Sequence, residues 1–283
     1  MYTPQARALQ DLEEVLGNII PDISNNSMGS FGFIHENYQI TELRLFQSYF
    51  QEQVQITELP ESIGNLENLH TLDLSHNLLT ELPDSIAELE ELEKFYLDYN
   101  NFTKIPTVIS SLENLNQLNF DENLLTTIPD SLHNSPYLQS IYLSGNMLTD
   151  FPVELSELDY LRRLMLSRNE ITSIDYTVLD DFSRLYVLDL RSNPIPVEQV
   201  NKARAYLRLL GKKRRKYYLR GEVPDWEHPY SLRNIGKRIR SDPLLQIDET
   251  NHEEITKLTR VIKANHEQRY QFTGRDEVIN QPS

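Results

Sequence analysis

The chain contains no cysteine, only nine glycines and no long uninterrupted apolar run among its 283 residues. Without cysteine it can hold no disulfide, thiolate-bound zinc, iron–sulfur cluster or cysteine nucleophile. This composition favours a reducing compartment, and we predict a cytoplasmic protein. No uncharged apolar stretch approaches the roughly 18 residues that span a bilayer. The first apolar stretch is interrupted by Asp11, Glu13 and Glu14, which is unlike a secretory signal peptide.

Positive charge is also scarce and is unevenly distributed. The 27 Lys and Arg residues against 43 Asp and Glu residues give a net charge of −16. Such a chain is too acidic overall for generic nucleic-acid or membrane-surface binding. Residues 1–196 carry a net charge of −22, residues 197–240 a net charge of +9, and residues 241–283 a net charge of −3. The composition therefore changes abruptly after residue 196.

A repeat organises the acidic part of the chain. Six segments follow the pattern L-x-x-L-x-L-x-x-N, and their asparagines are separated by 23, 23, 23, 23 and 24 residues. These asparagines are Asn77, Asn100, Asn123, Asn146, Asn169 and Asn193. Most units continue with an apolar residue followed by proline, as at Leu59-Pro60, but the last unit has Asp175 at the proline position.

The repeat resembles the leucine-rich repeat family over residues 40–196. It is similar to the short intracellular subclass with L-P-x-x-I linkers, which includes Ras-binding, scaffold, prokaryotic and archaeal members. The resemblance implies an α/β fold, a leucine-rich repeat solenoid with a curved parallel sheet on its concave side. It also implies a binding architecture whose ligand differs among members.

The physical basis of this fold is visible in each unit. Paired leucines such as Leu72 and Leu74 alternate with polar residues, which predicts a short strand with one buried face. One unit cannot bury its apolar face alone, so successive units must stack around a shared core. The repeated asparagine falls where the chain leaves the strand, where its amide can satisfy buried backbone groups. We therefore predict that the asparagine column is structural.

The N-terminal segment predicts a cap for the array, over residues 1–39. Leu9, Leu12, Leu16 and Ile19 lie at helical spacing and predict a helix from Pro4 to Ile20. Two strands follow, residues 31–34 and 40–45, with the turn predicted at residues 36–37. Because the first unit is longer than the others, we also predict a loop at residues 47–53.

The C-terminal part predicts a helical extension in two segments. In residues 197–240, Val200, Ala203, Leu207 and Leu210 share one helical face that would cap the last repeat, and a basic segment follows. In residues 241–283, an acidic tail contains one further amphipathic helix around residues 255–262. The repeats between the two caps occupy residues 40–196.

The sequence contains few candidates for a catalytic motif. The sequence has no G-x-x-x-x-G-K-[ST] loop, no G-x-G-x-x-G loop and no histidine pair at metal-ligand spacing. We therefore predict no cofactor, no metal and no enzymatic activity. A hydrolytic site around His70, Ser75 and His76 is the catalytic alternative. Bacterial leucine-rich repeat ubiquitin ligases resemble the chain only in their repeats and rely on a cysteine that is absent here.

The polar positions beside the core leucines form columns across the repeats and are the candidate binding residues. Tyrosine, methionine and arginine together are more typical of protein interfaces than of a solvated sheet. The predicted partner-binding set is Asp73, His76, Tyr96, Tyr99, Asn119, Glu122, Tyr142, Arg163, Met165 and Arg168. The resemblance suggests a small GTPase or signalling protein as the partner on the concave face. The alternative is that the tyrosines only suit strands.

A basic patch provides a rival site. It consists of Lys212, Lys213, Arg214, Arg215 and Lys216. This patch would make the protein an adaptor for nucleic acid, anionic lipid or an import receptor. The alternatives are cations near a helix C-terminus, contact with the acidic repeats, or contact with a partner's acidic surface. We place nucleic acid and lipid second to a protein partner.

Overall fold

A computed structural model describes residues 3–24, 30–46 and 55–209 and the backbone of residues 216–218. Its strands form one sheet in chain order, antiparallel at the first pair and parallel from β2 onward. The strands are β1 (Gly32–Glu36), β2 (Gln39–Arg44), β3 (Thr71–Asp73), β4 (Lys94–Tyr96), β5 (Gln117–Asn119), β6 (Ser140–Tyr142), β7 (Arg163–Met165), β8 (Val187–Asp189) and β9 (Lys216–Tyr218). The predicted leucine-rich repeat solenoid is confirmed.

The first helix, α1 (Pro4–Leu16), is shorter than the sequence predicts. Thr3 caps its N-terminus, since the Thr3 hydroxyl accepts a hydrogen bond from the Ala6 amide at 3.2 Å. Gly17 ends the helix because it adopts φ of +62°, a left-handed conformation that glycine tolerates well. The prediction that Ile19 belongs to the apolar helical face was wrong, since Ile19 lies beyond the helix and is 77% exposed.

The predicted hairpin is present with small shifts in its boundaries. β1 and β2 pair antiparallel, and the turn falls at Asn37 and Tyr38 rather than at residues 36–37. Both turn residues have positive φ, 49° and 65°, as a tight two-residue hairpin turn requires. Parallel pairing then begins, with β2 Leu43 aligned to β3 Leu72.

Short 3-10 helices connect the strands of the array on the opposite side of the core. They span Glu61–Asn65, Asp84–Glu88, Thr107–Ser111, Asp130–Asn134, Val153–Glu157 and Tyr176–Asp180. A proline precedes each of the first five, from Pro60 to Pro152. Proline holds its own φ near −65° and disfavours helix in the residue before it, which sets a fixed start for each short helix.

The last 3-10 helix replaces proline by Asp175. The Asp175 carboxylate accepts hydrogen bonds from the Thr177 amide at 2.9 Å and from the Thr177 hydroxyl at 2.6 Å. A side-chain cap therefore replaces the conformational restriction of proline at this position.

The core lies between the strands and the 3-10 helices. The central residue of each strand from β3 to β8 is fully buried, and so are the leucines at the start of each repeat pattern. The buried side chains of the 3-10 helices, such as Ile63 and Ile86, cover the core from the other side. Each coil thus buries its apolar side chains against its neighbours, as a 23-residue unit must.

The asparagine column has the structural role that the sequence predicts. In Asn100, Nδ2 donates to the backbone oxygens of Leu74 in the preceding coil, at 2.9 Å, and of Leu97, at 3.1 Å. Its Oδ1 accepts from the Leu79 amide at 2.9 Å. The same pattern recurs at Asn77, Asn123, Asn146, Asn169 and Asn193. Each asparagine therefore joins two neighbouring coils.

At the C-terminal end, the helix α2 (Val197–Leu209) follows the last repeat. Its Val200 is buried, and the Gln199 side chain accepts a hydrogen bond from the Ile174 amide at 2.9 Å. The array and β9 belong to one compact unit, whereas residues 201–209 belong to a second unit. β9 was not predicted: it extends the sheet with Leu188 aligned to Tyr217.

Several predictions fall outside the described residues. They concern the loop at residues 47–53, the side chains of the basic patch and the tail at residues 241–283, and the domain boundaries remain predictions. In the part of the chain that the structure describes, no helix is both long and apolar enough to cross a membrane.

Candidate interaction surface

The outer side of strands β3–β8, called the sheet face below, presents the predicted columns. In each strand the central residue is buried, so the first and third residues point outward. The register aligns the third residues in one column: Asp73, Tyr96, Asn119, Tyr142, Met165 and Asp189. The first residues form a parallel column that contains the exposed Arg163. The structure therefore brings side by side the predicted residues Asp73, Tyr96, Asn119, Tyr142 and Met165.

Two tyrosines dominate the middle of the sheet face. Tyr96 and Tyr142 lie on either side of Asn119, two strands apart and hence about 10 Å from each other. The Tyr96 hydroxyl accepts a hydrogen bond from Gln117 Nε2 at 3.2 Å. Burial, together with nearby Asp73 and other anionic groups, raises the pKa of Tyr96 above its ordinary value. The phenol therefore stays protonated at neutral pH and can donate a hydrogen bond to a ligand.

A further predicted column, called the turn column below, follows the strands and has a different backbone conformation from the strand positions. Its members all have positive φ, between 54° and 68°: His76, Tyr99, Glu122, Gly145, Arg168 and Ser192. This column is therefore the turn that ends each strand, not a continuation of the strand surface. Non-glycine residues adopt positive φ only rarely. Five of the six residues in this column are nevertheless not glycine. Gly145 was the signal in the sequence for this backbone geometry.

Side chains of the turn column interact in pairs along the array. The rings of His76 and Tyr99 stack with their centroids 4.2 Å apart and their planes 9° from parallel. Glu122 and Arg168 form an ion pair. Gly145 is the turn residue of the coil between them, and it has no side chain that would separate the two charged groups. Burial lowers the pKa of His76, while Asp73 opposes the shift. The neutral form of the His76 imidazole is therefore favoured at pH 7.

Two half-buried carboxylates that follow β4 and β5 were not predicted from the sequence. Asp98 and Asp121 lie two residues after Tyr96 and Asn119, at a position where other units have Ser75, Ser144 and Ser167. Asp98 accepts a hydrogen bond from Asn119 Nδ2 at 2.8 Å, and Asp121 accepts one from the Ser144 amide at 2.6 Å. The replacement of serine by aspartate at one repeat position was the available signal.

These two carboxylates have unusual protonation behaviour. Burial raises the pKa of Asp98 to about 6, and the negative charges of Asp73 and Asp121 add to the shift. Burial also raises the pKa of Asp121 to about 6, against the hydrogen bonds from Ser144, which lower it. The charge on the middle of the sheet face therefore changes between pH 5 and pH 7.

The alternative hydrolytic site does not form with His70. His70 Nδ1 lies 2.8 Å from the backbone oxygen of Asn68, and the Ser75 hydroxyl donates to Asp73 at 2.6 Å. His70 precedes β3 whereas His76 follows it, so the strand separates the two histidines. Within the described ranges, no group of three His, Asp or Glu side chains is arranged to hold a metal ion.

The residues of the rival basic patch fall mostly outside the described part of the chain. Lys212, Lys213, Arg214 and Arg215 lie outside the described residues, and only the backbone of Lys216 is described, at the start of β9.

Comparison with known proteins supports the fold. A family model described as a leucine-rich repeat region matches residues 34–129. A leucine-rich repeat protein of Leptospira interrogans is similar in structure, with a TM-score of 0.50 and 29% sequence identity over 58% of this chain and 46% of that one. No curated protein matches the sequence.

A second similar structure is the leucine-rich repeat ectodomain of the membrane receptor kinase GASSHO1/SCHENGEN3 from Arabidopsis thaliana, solved in complex with Casparian strip integrity factor 2. Its TM-score is 0.46 and its sequence identity 22%, over 63% of this chain and 25% of that one. The chain thus spans less than half the length of both solved proteins.

Proposed function

We propose that this chain, whose residues 34–129 match a leucine-rich repeat model, is a non-catalytic interaction module that binds a protein partner through the sheet face. Leucine-rich repeat folds generally serve as protein-interaction modules. The observation that carries the choice of face is the outward pair Tyr96 and Tyr142 in one column of an open sheet. For the partner we propose a small GTPase or signalling protein, as the subclass resemblance suggests, and for the location the cytoplasm.

The repeat itself argues that these tyrosines serve binding rather than folding. The same structural position is occupied by Asp73 and Asn119 in neighbouring coils, so the strand does not require an aromatic residue there. Tyrosine supplies a large apolar surface with a polar end, and a few such residues commonly dominate the free energy of an interface. The cost of leaving two tyrosines on a solvated face is then offset when a partner covers them.

The test uses the variant Tyr96→Asn/Tyr142→Asn, which copies the residue that the fold already has at Asn119. A partner captured by the wild-type protein is purified, and its affinity is measured by calorimetry for the wild type and the variant. Each tyrosine that acts as an anchor contributes about 2 kcal/mol, so each substitution is expected to weaken binding about thirtyfold. Thermal melting confirms that the variant stays folded.

Two further variants make the result decisive. Tyr38→Asn removes a tyrosine that is 93% exposed at the hairpin turn, and it should leave the affinity unchanged. Alanine at residues 212–216 removes the basic patch. If affinity falls only in that variant and also decreases steeply with salt, the sheet face is not the binding site and the adaptor alternative is favoured.

A further inference from the structure

A second group of outward side chains lies just before the strands, and the repeats provide an internal comparison for it. The residues directly before and after the first leucine of each pattern both point away from the core, because that leucine is buried. In the first three patterns these positions hold Asn68 and His70, Glu91 and Glu93, and Asn114 and Asn116. In the last three they hold Tyr137 and Gln139, Tyr160 and Arg162, and Arg184 and Tyr186.

The fold therefore accepts amides and glutamates at positions where the last three coils have tyrosine and arginine. We call the group formed by Tyr137, Tyr160, Arg162, Arg184 and Tyr186 the strand-entry patch. Its three tyrosines are 50%, 37% and 42% exposed, in chain order. Burial in the core does not explain why these coils have aromatic residues here.

Three side chains of the strand-entry patch, those of Tyr137, Tyr160 and Arg184, contact one another in a row. The rings of Tyr137 and Tyr160 lie 5.9 Å apart between centroids. The Arg184 guanidinium carbon lies 4.5 Å from the centre of the Tyr160 ring, a cation–π geometry. In the adjacent column, the Tyr186 amide donates to the backbone oxygen of Arg162 at 2.7 Å. These contacts place the aromatic rings and the cations on one surface.

Within the ranges that the structure describes, the arginines of the patch lack the ion pairs that Arg44, Arg168 and Arg191 have. Among the described residues, Arg162 and Arg184 form no ion pair with a carboxylate, and neither does Arg163 beside them, whereas Arg168 is paired with Glu122. Asp159, directly before Tyr160, also forms no ion pair with them. In a chain with a net charge of −16, unneutralised arginines beside exposed tyrosines are an unusual local composition.

We propose that the strand-entry patch is a second docking surface and that it binds an acidic segment of a partner protein. The two guanidinium groups can each donate a pair of hydrogen bonds to a carboxylate, and the tyrosines provide an apolar contact for the intervening side chains. Tyrosine and arginine are the residue types that most often anchor protein interfaces. The patch supplies only two guanidinium groups, fewer than the phosphate contacts on which nucleic-acid binding generally depends.

This docking surface does not depend on the sheet face as a binding site. Tyr137, Tyr160 and Arg184 precede the strands, whereas Tyr96 and Tyr142 are the last residues of β4 and β6. Either surface can therefore be removed while the other is kept.

The experiment selects binders from a displayed library of random linear peptides with the full chain as bait. The variant Tyr160→Asn/Arg162→Asn/Arg184→Asn is selected in parallel, and it uses the amide residue that the fold already has at Asn114 and Asn116. The variant Tyr96→Asn/Tyr142→Asn serves as the matched control for the sheet face. Circular dichroism melts of all three proteins verify that they are folded.

We expect peptides enriched in Asp and Glu from the wild type and from the sheet-face variant, but not from the strand-entry variant. Synthesised peptides from the first two selections should bind the strand-entry variant at least about tenfold more weakly. The proposal is overturned if the acidic enrichment is absent or survives in the strand-entry variant. It is also overturned if a single-stranded oligouridine, and not an acidic peptide, is the ligand that the strand-entry variant loses. Loss of peptide binding only in the sheet-face variant would instead support the proposed function and reject this surface.

Discussion

Replacing Asn123 by alanine provides the most direct test of how the coils are held together. Asn123 is 4% exposed and forms four hydrogen bonds with the backbone. Its Nδ2 donates to Leu97 O at 2.9 Å and to Phe120 O and Asp121 O at 3.2 Å, while its Oδ1 accepts from the Phe102 amide at 3.0 Å. The alanine variant would leave the buried Phe102 amide without this acceptor.

The magnitude follows from the groups left without partners. A buried amide without an acceptor costs about 1 to 3 kcal/mol, and the carbonyls that lose a donor add to this. Leu97 O retains a second donor, the Nδ2 group of Asn100 at 3.1 Å, so its loss is partly compensated. We therefore expect the Asn123→Ala variant to lose about 2 to 4 kcal/mol in the free energy of unfolding.

Urea unfolding followed by circular dichroism measures this loss. Asn114→Ala is the matched control, because Asn114 is exposed and its Nδ2 makes one hydrogen bond, to Glu90 O at 2.9 Å. That control should cost less than about 1 kcal/mol. Equal unfolding midpoints for the two variants, at unchanged urea dependence, would refute the account of the asparagine column.

Two further predictions concern residues that follow the strands. The pKa of Asp121 is raised to about 6 in the folded chain. Between about pH 4 and pH 6 the native state therefore binds more protons than the unfolded state. The contribution of Asp121 to stability consequently falls as the pH rises through that window. Asp121→Asn should therefore stabilise the protein by about 1 to 2 kcal/mol at pH 8 and by much less at pH 4, as measured by chemical denaturation. An equal effect at both pH values would contradict the raised pKa of Asp121. Gly145→Ala should destabilise by about 1 kcal/mol, since φ is +68° and the new Cβ would lie 2.6 Å from the Glu122 carboxylate. Thermal melts should show a smaller penalty in a Glu122→Ala background, and an unchanged penalty would place the whole effect in the backbone.

Periodic features of the fold could be predicted because they repeat the same local physics in every coil. The leucines alternate with polar residues at the period of a strand, and each asparagine occurs at the same distance from them, so the core and the hydrogen-bonded column follow from the pattern. The outward columns follow as well, because a fixed repeat length aligns equivalent residues of neighbouring strands. Tyr96, Asn119 and Tyr142 are adjacent for this reason alone.

Features that depend on contacts between specific side chains required the tertiary structure. The pKa of Asp98 depends on burial and on the positions of Asp73 and Asp121, which no single repeat reveals. The end of α1 was mispredicted because Ile19 continued the apolar spacing, although Gly17 adopts a left-handed conformation that ends the helix. The contacts among Tyr137, Tyr160 and Arg184 likewise form only when neighbouring coils pack against each other. Sequence periodicity determined the scaffold, whereas the chemistry of its surface was decided by which non-repeating side chains the stacking brought together.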